Sequence, residues 1–352
     1  MTCPLFVELC AGTAALSLRL HHPRARPPVS RMGAKTGYAG AILRCLGLRP
    51  GGQAERYLWC EPDAGVRLLL HAYTDRALAM AAADIIRSWK DEEPRALWER
   101  LRAEGPAVCP PVDAREVARV ARIISANRLV NPDPITWQNT GNGGYKHGGA
   151  EFCTPIPRLA ESMAAVPRVD GVALVDDARK VDPMEVARWC TLAQSAYRRG
   201  DPDSGFDDVA ARAGVSRGAC LPPAQTVAKR WVVATLPATI ADDARTVPTP
   251  PRLPAGTVAY IDPPYKDTTG YAHAFPRSEW LPVVRRWKDA GALVCVSEAE
   301  PIPDLMAEGW HAVEITGERK GQRRTFSKQQ REWLTMSEPP RWRPSVQGRL
   351  FK

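Results

Sequence analysis

Residues 258–271, VAYIDPPYKDTTGY, run from an apolar block, Val258-Ala259-Tyr260-Ile261, through Asp262-Pro263-Pro264-Tyr265 into a loop of Lys, Asp, Thr and Gly. The block predicts a buried strand, which hands a carboxylate, two prolines and an aromatic ring to the open end of a sheet, where α/β proteins place their ligands. That set suits a particular chemistry. A planar exocyclic amino group has its lone pair delocalised into its ring, and it becomes nucleophilic only when acceptors take its N–H groups and let the nitrogen turn tetrahedral. Asp262 supplies one acceptor. Proline has no N–H but keeps its carbonyl, so the stiff Asp262-Pro263-Pro264 backbone offers a second acceptor in a fixed direction. Tyr265 can stack on the ring. The competing reading is a strand that merely ends at a Pro-Pro turn, in a chain with 33 prolines.

Working outward, LFVEL (residues 5–9) is a short apolar strand followed by the small-residue turn Cys10-Ala11-Gly12-Thr13 and the helical pattern AALSLRL. Strand, tight turn and helix start bring backbone N–H groups and a positive dipole end to one place, which suits a carboxylate or phosphate. YLWC (residues 57–60) is a second strand, ending in Glu61 and leading into the helical stretch AGVRLLLHAY. An acid at that position is how such folds hold a ribose hydroxyl pair. The distance from Glu8 to Glu61 far exceeds the usual spacing of about 20 residues, so a segment is inserted between them. The insertion carries RMGAKTGYAGAIL, the basic, glycine-containing start of an amphipathic helix, in which Arg31 or Lys35 can meet a carboxylate; a solvated basic loop is the alternative.

Together these segments resemble a known family. FVELCAGTAALSL with YIDPPY resembles the S-adenosylmethionine-dependent amino-methyltransferases, and RMGAKTGYAGAI is similar to the R/K-x-G-x-K segment of the Dam-type DNA adenine methyltransferases. CEPDAGVRLLLHAY is similar to that family's acidic second motif, and DPPYKDTTGY to its phage and prophage members. The resemblance implies an α/β fold: a Rossmann-like methyltransferase sheet with a mostly helical target-recognition insert. It also implies that Asp262, Pro263, Pro264 and Tyr265 carry catalysis. S-adenosylmethionine would lie against Glu8, Cys10, Ala11, Gly12, Arg31, Gly33, Lys35 and Asp262, with Lys35 on its carboxylate, Glu61 on its ribose and Asp243 on its adenine. Asp242, next to Asp243, is an open alternative. The chain departs from the family pattern in having Cys10 where many adenine enzymes have Phe, and in carrying the basic glycine segment after the first strand.

The expected organisation is a cofactor-binding half over residues 1–111, a recognition insert over 112–229, and a half holding the DPPY corner and a terminal hairpin over 230–352. Within the insert, WQNTGNGGYKHGGAEFCTPIPRL is the candidate DNA reader. Asn139 and Asn142 can read an adenine edge, Tyr145 can fill an opened stack, and Lys146 and Arg158 can meet phosphate. An ordinary Gly/Asn surface loop is the alternative. Lys266, Thr269 and Tyr271 follow the DPPY corner, and Arg323 and Arg324 lie in RKGQRRTFSKQQR, a basic connection suited to phosphates. FDDVAARAGVSRGAC resembles the opening of a helix-turn-helix, but the LPPAQ that follows breaks the helix that would read DNA. Later, RSEWLPVVRRWKDAG predicts a helix, GALVCVSE a buried strand, and WHAVEITGE with REWLTMSE a hairpin.

A formal charge of +9 favours an anionic partner, nucleic acid ahead of a membrane surface. Nine scattered cysteines without CxxC spacing predict reduced thiols, and six histidines form no metal-like cluster, so no metal is expected. The start lacks a signal-peptide pattern and no apolar run approaches a membrane span, so the cytoplasm is the expected location. The expected activity is methyl transfer to the N6 amino group of adenine in double-stranded DNA, with the base flipped from the stack, in a phage or restriction-modification setting. Rival readings are cytosine-N4 or RNA amino-methylation and a catalytically silent DNA-binding relative. Cytosine-C5 methylation needs a cysteine nucleophile, and Cys109 is the sole candidate.

Overall fold

The computed structural model describes residues 3–29, 35–104, 112–126, 154–175, 177–184, 186–187, 252–264, 275–315 and 332–342. The first half contributes β1 (Phe6–Glu8), α1 (Ala15–His21), a 3-10 turn (Lys35–Gly37), α2 (Ala39–Cys45), β2 (Tyr57–Cys60), α3 (Ala64–Thr74), α4 (Arg76–Ser88), α5 (Pro94–Ala103) and α6 (Ala114–Ala126). Then come α7 (Ile156–Ala164), β3 (Val172–Val175), a second 3-10 turn (Ala178–Lys180), β4 (Val258–Ile261), α8 (Arg277–Asp289), β5 (Leu293–Glu298), α9 (Pro303–Ala307), β6 (His311–Ile315) and β7 (Glu332–Met336).

One seven-stranded sheet holds them, in the order β3-β2-β1-β4-β5-β7-β6. The first five strands run parallel; β7 pairs antiparallel with β5 and β6 antiparallel with β7. The chain is therefore an α/β protein with a mostly parallel mixed sheet, compatible with a Rossmann-like fold. Strands β2 and β4 read as unbroken apolar runs, and β1 and β5 as apolar runs that end in an acid, because both faces of the sheet are covered. Alternate residues go to opposite faces. Phe6, Tyr57, Trp59, Tyr260 and Cys295 join a core with α1, α2, α3, α4, α6 and α7, whereas Val7, Leu58, Ala259, Ile261, Val294 and Val296 join a second core with α8 and α9.

Strand β1 sits at the switch point. Its Phe6 lies opposite Tyr57 of β2 on one side and Val258 of β4 on the other, and Glu8 lies opposite Trp59 and Tyr260. The chain leaves β1 toward β2 and returns to β4 on the opposite flank, which opens a crevice at the carboxyl ends of the two neighbours.

The described parts of the span 112–229, expected as a recognition insert, pack into the sheet and its core. Residues Val117, Val120 and Ala121 of α6 and Leu159, Ala160 and Met163 of α7 belong to the same core as Phe6, and Val172–Val175 is the edge strand of the sheet. The physical reason is burial: β3 carries four apolar residues, all buried, and pairing them onto β2 removes their apolar surface from water. RVDGVALVDD, an apolar run bounded by turn residues, is the signal for it. Among the described residues no helix is long and apolar enough to cross a membrane. Cys3, Cys10, Cys45, Cys60 and Cys295 are free thiols.

Gly171 makes the entry to β3 possible. It has φ +71°, its carbonyl accepts the Tyr57 N–H at 2.9 Å, and a Cβ there would lie 2.8 Å from the Glu55 carbonyl oxygen. Gly291, at φ +96°, faces open space. Gly171→Ala is expected to lower unfolding stability by about 2–4 kcal/mol, adding a backbone clash to the roughly 1–2 kcal/mol left-handed penalty, whereas Gly291→Ala carries the backbone penalty alone. Urea unfolding of both variants checks this; equal losses would mean that β3 yields to the added methyl.

Candidate active site at the carboxyl end of the sheet

The turn after β1 is tied to both neighbours. Leu9 N–H donates to the Tyr260 carbonyl and Ala11 N–H to the Cys60 carbonyl, each at 2.8 Å, and Ala14 N–H closes back on the Ala11 carbonyl at 2.7 Å. Gly12 takes φ +52°, and a Cβ added there would meet no atom within 4 Å, so glycine is favoured there by backbone conformation and not by crowding. Its N–H donates to Glu61 Oε2 at 2.8 Å, while Asp63 N–H donates to Glu61 Oε1 at 3.0 Å. Glu61 thus lies across the mouth of the turn. Asp63 in turn caps α3, accepting from the N–H groups of Gly65 and Val66. Two buried atoms here, Thr13 Oγ1 and Asp63 Oδ2, make no hydrogen bond.

Glu8 is only 2% exposed, and its Oε1 accepts the Ser17 N–H of α1 at 2.8 Å. Its part is therefore to hold the helix that follows the turn. The Ser17 hydroxyl accepts from Trp59 Nε1 at 2.8 Å, which fastens α1 to β2. Burial pushes the Glu8 carboxyl up to about 7, opposed by the Ser17 hydrogen bonds and reinforced by the charge of Asp262. Burial also raises the Cys10 thiol well above its ordinary range, with Asp262 and Glu61 adding to the shift.

Asp262 leaves the tip of β4 into a small buried network. Lys35 Nζ lies 2.8 Å from Asp262 Oδ1 and 3.7 Å from Glu332 Oε1, the lysine side chain being 4% exposed against 18% for Asp262 and 6% for Glu332. The Glu332 oxygen facing the lysine also accepts the Ser297 hydroxyl. Burial raises the Asp262 carboxyl to about 7; Lys35 opposes that rise, and Glu332 and Glu298 add to it. Pro263 is buried and Pro264 half-buried beyond it. Since β7 runs against the parallel strands, its first residue reaches the edge where the others end. Across that edge stand Asp177 after β3, Glu61 after β2, Glu8 on β1, Asp262 after β4, Glu298 on β5 and Glu332 on β7. Lys35 is the one buried lysine among the described residues.

Of the expected site residues, the structure brings together Glu8, Cys10, Ala11, Gly12, Lys35, Glu61, Asp262, Pro263 and Pro264. Lys35, expected to meet a ligand carboxylate, has its ammonium on Asp262 and Glu332. Arg158 is exposed on α7, a helix packed against α4 and α6. Arg31, Gly33, Asp243, Tyr265, Asn139, Asn142, Tyr145, Lys146, Lys266, Thr269, Tyr271, Arg323, Arg324, Cys109 and the helix-turn-helix-like stretch lie outside the described residues. Sequence reading missed Glu332, Glu298 and Asp177. The last had a signal: VDDAR (residues 175–179) repeats the DDAR of the chosen TIADDAR, and it follows an apolar run. Among the described residues no group of three or more His, Cys, Asp or Glu side chains could hold a metal ion. No protein-family model matches the chain, and no curated protein matches it.

The Glu8 environment yields a test with a defined sign. Its folded carboxyl, at about 7, lies above the ordinary value of 4.5, so its contribution to stability is fully present below the unfolded value and lost as pH rises through about 7. Glu8→Gln keeps an acceptor for Ser17 without the charge. The variant is expected to match the parent in unfolding free energy at pH 4 and to exceed it at pH 8, by at most roughly 3 kcal/mol. A variant less stable than the parent at pH 8 would show that the ionised carboxylate strengthens the α1 cap by more than its burial costs.

Proposed function

We propose that this protein transfers a methyl group from S-adenosylmethionine to the N6 amino group of adenine in double-stranded DNA, in the cytoplasm. The observation that carries this reading is the adjacency of two strand ends: the Asp262-Pro263-Pro264 corner stands next to the glycine turn of β1, with Glu61 across that turn. The resemblance to the Dam-type enzymes is carried by the same segments and agrees with this reading. The +9 charge of the whole chain suits an anionic polymer.

The residues present fit such a donor. It bears two positive charges near one end, and this edge carries six acids and one buried lysine. Its ribose needs a two-pronged acceptor, and Glu61 offers both oxygens beside the Gly12 turn. Thr13 Oγ1 and Asp63 Oδ2 have hydrogen-bonding capacity to spare. Asp177, just after β3, continues the acidic edge beyond Glu61, with both of its oxygens held by Arg179. Bound there, S-adenosylmethionine supplies a methyl group on a positively charged sulfur.

The chain's own residues do the rest. Asp262 and the Pro263 carbonyl accept the two N–H groups of the flipped base, so that nitrogen regains its lone pair. Lys35 keeps Asp262 in place without blocking its second oxygen from a ligand, because the contact is made through Oδ1. Tyr265 stacks on the base, and Asn139, Asn142, Tyr145, Lys146, Arg158, Lys266, Thr269, Tyr271, Arg323 and Arg324 supply base and phosphate contacts.

Radiolabelled methyl transfer to plasmid DNA, followed by nucleoside analysis, tests the proposal. N6-methyladenine is expected; N4-methylcytosine would reassign the base, and label in RNA alone the polymer. Asp262→Ala should reduce transfer by about 100-fold or more while calorimetry shows cofactor affinity changed only a few-fold. Because the working form of Asp262 is the carboxylate, transfer should fall as pH drops through about 7.

A further inference from the structure

Glu332 has no place in the mechanism so far, yet it is buried, charged and joined to the catalytic corner. It comes from the far end of the chain, on the strand inserted antiparallel between β5 and β6. Its Oε1 takes the Ser297 hydroxyl and faces Lys35 at 3.7 Å, and the same ammonium is 2.8 Å from Asp262. One lysine is thus shared unequally between two acids.

That inequality matters when a proton has to leave. Methylation of an exocyclic amine forms an N–C bond with the nitrogen lone pair, while the donor's C–S bond breaks and its electron pair stays on sulfur. The nitrogen then carries a positive charge until it loses one proton. The nearest carboxylate is the one that already accepts its N–H. Once that carboxylate is neutral, buried Lys35 loses the charge 2.8 Å away, which is costly, and Glu332 at 3.7 Å is an acid placed to offset the loss.

We propose that Glu332 is a positioning residue: it shares the Lys35 ammonium with ionised Asp262 and takes that ammonium over when Asp262 receives the proton released by the methylated amine. The inference rests on the amino-methyltransferase reading of the site. Around Asp262 the charged and titratable groups are Lys35 on the 3-10 turn, Glu332 on β7, Glu298 on β5, Glu8 on β1, Cys10 on the glycine turn and Tyr260 on β4. Lys35 opposes protonation, whereas Glu332 and Glu298 favour it. Removing the Glu332 charge therefore makes Asp262 a weaker base and leaves Lys35 committed to it.

The test is carboxyl carbon-13 NMR on the full chain with labelled aspartate, the Asp262 signal being assigned from its loss in Asp262→Asn. In Glu332→Gln the Asp262 titration midpoint should fall by about one pH unit, and Glu332→Asp should restore most of it. The acid limb of single-turnover methyl transfer should move down with the midpoint while calorimetric cofactor affinity stays within about two-fold. A merely structural role would lower activity at every pH without moving the limb. An unchanged midpoint in a folded Glu332→Gln protein overturns the proposal. Should that variant not fold, the Lys35 ε-carbon of the unmodified protein decides: an ammonium that persists while Asp262 titrates supports the proposal, and loss of its charge overturns it. A shifted midpoint in a protein that methylates no nucleic acid would support the charge coupling and overturn the methyl-transfer reading to which it is attached.

Discussion

The buried ammonium of Lys35 holds together two strand ends that would otherwise repel each other. Asp262 at the tip of β4 and Glu332 at the start of β7 both lie within 4 Å of it, and the three side chains are largely withdrawn from water. Charges so placed interact far more strongly than on a surface, and they also lose their hydration. Taking away the cation would leave the two acids facing each other without the ammonium that both contact. Keeping it fixes where the 3-10 turn at Lys35–Gly37 must dock. The inserted segment between β1 and β2 is thereby linked to the last strand of the sheet.

That arrangement requires β7 to run backwards. In an all-parallel sheet every amino end lies on the edge opposite the ligand crevice. Reversal brings Glu332 to the crevice edge, in register beyond the Glu298–Trp333 pair. The parallel strands bring their acids there by their carboxyl ends. Six carboxylates from six strands consequently gather along one edge, and burial holds two of them, Glu8 and Asp262, near the point of protonation. Such an edge favours a cationic ligand, and it carries two carboxyls that change charge near neutral pH. The sheet beneath it is stiff, with a packed apolar core on either face and no need to move for these groups to meet.

Much of this was legible from local pattern. The four-residue block before Asp262 is β4 with the expected limits, YLWC is β2, and the helices after the glycine turn and after Glu61 are where 3.6-residue periodicity puts them. The hairpin of β6 and β7 was also readable, because two apolar runs flanked by turn residues have few other ways to pair. β3 escaped notice: four residues within a long helical and glycine-rich span are a weak signal until a neighbouring strand is there to pair with. Asp177 was missed with it, since an acid means something at a strand tip only once the strand is known.

The sequence by itself determined the acid-proline-proline corner, the glycine turn, the acid after β2 and the apolar runs that drive the sheet, because each is written in residues adjacent along the chain. Only the tertiary structure decided which charges share an interior: Lys35, Asp262, Glu298 and Glu332 carry no local mark of one another. Their meeting follows from strand order and direction, which depend on long-range pairing and on the burial of both sheet faces, and neither is contained in any one stretch of sequence.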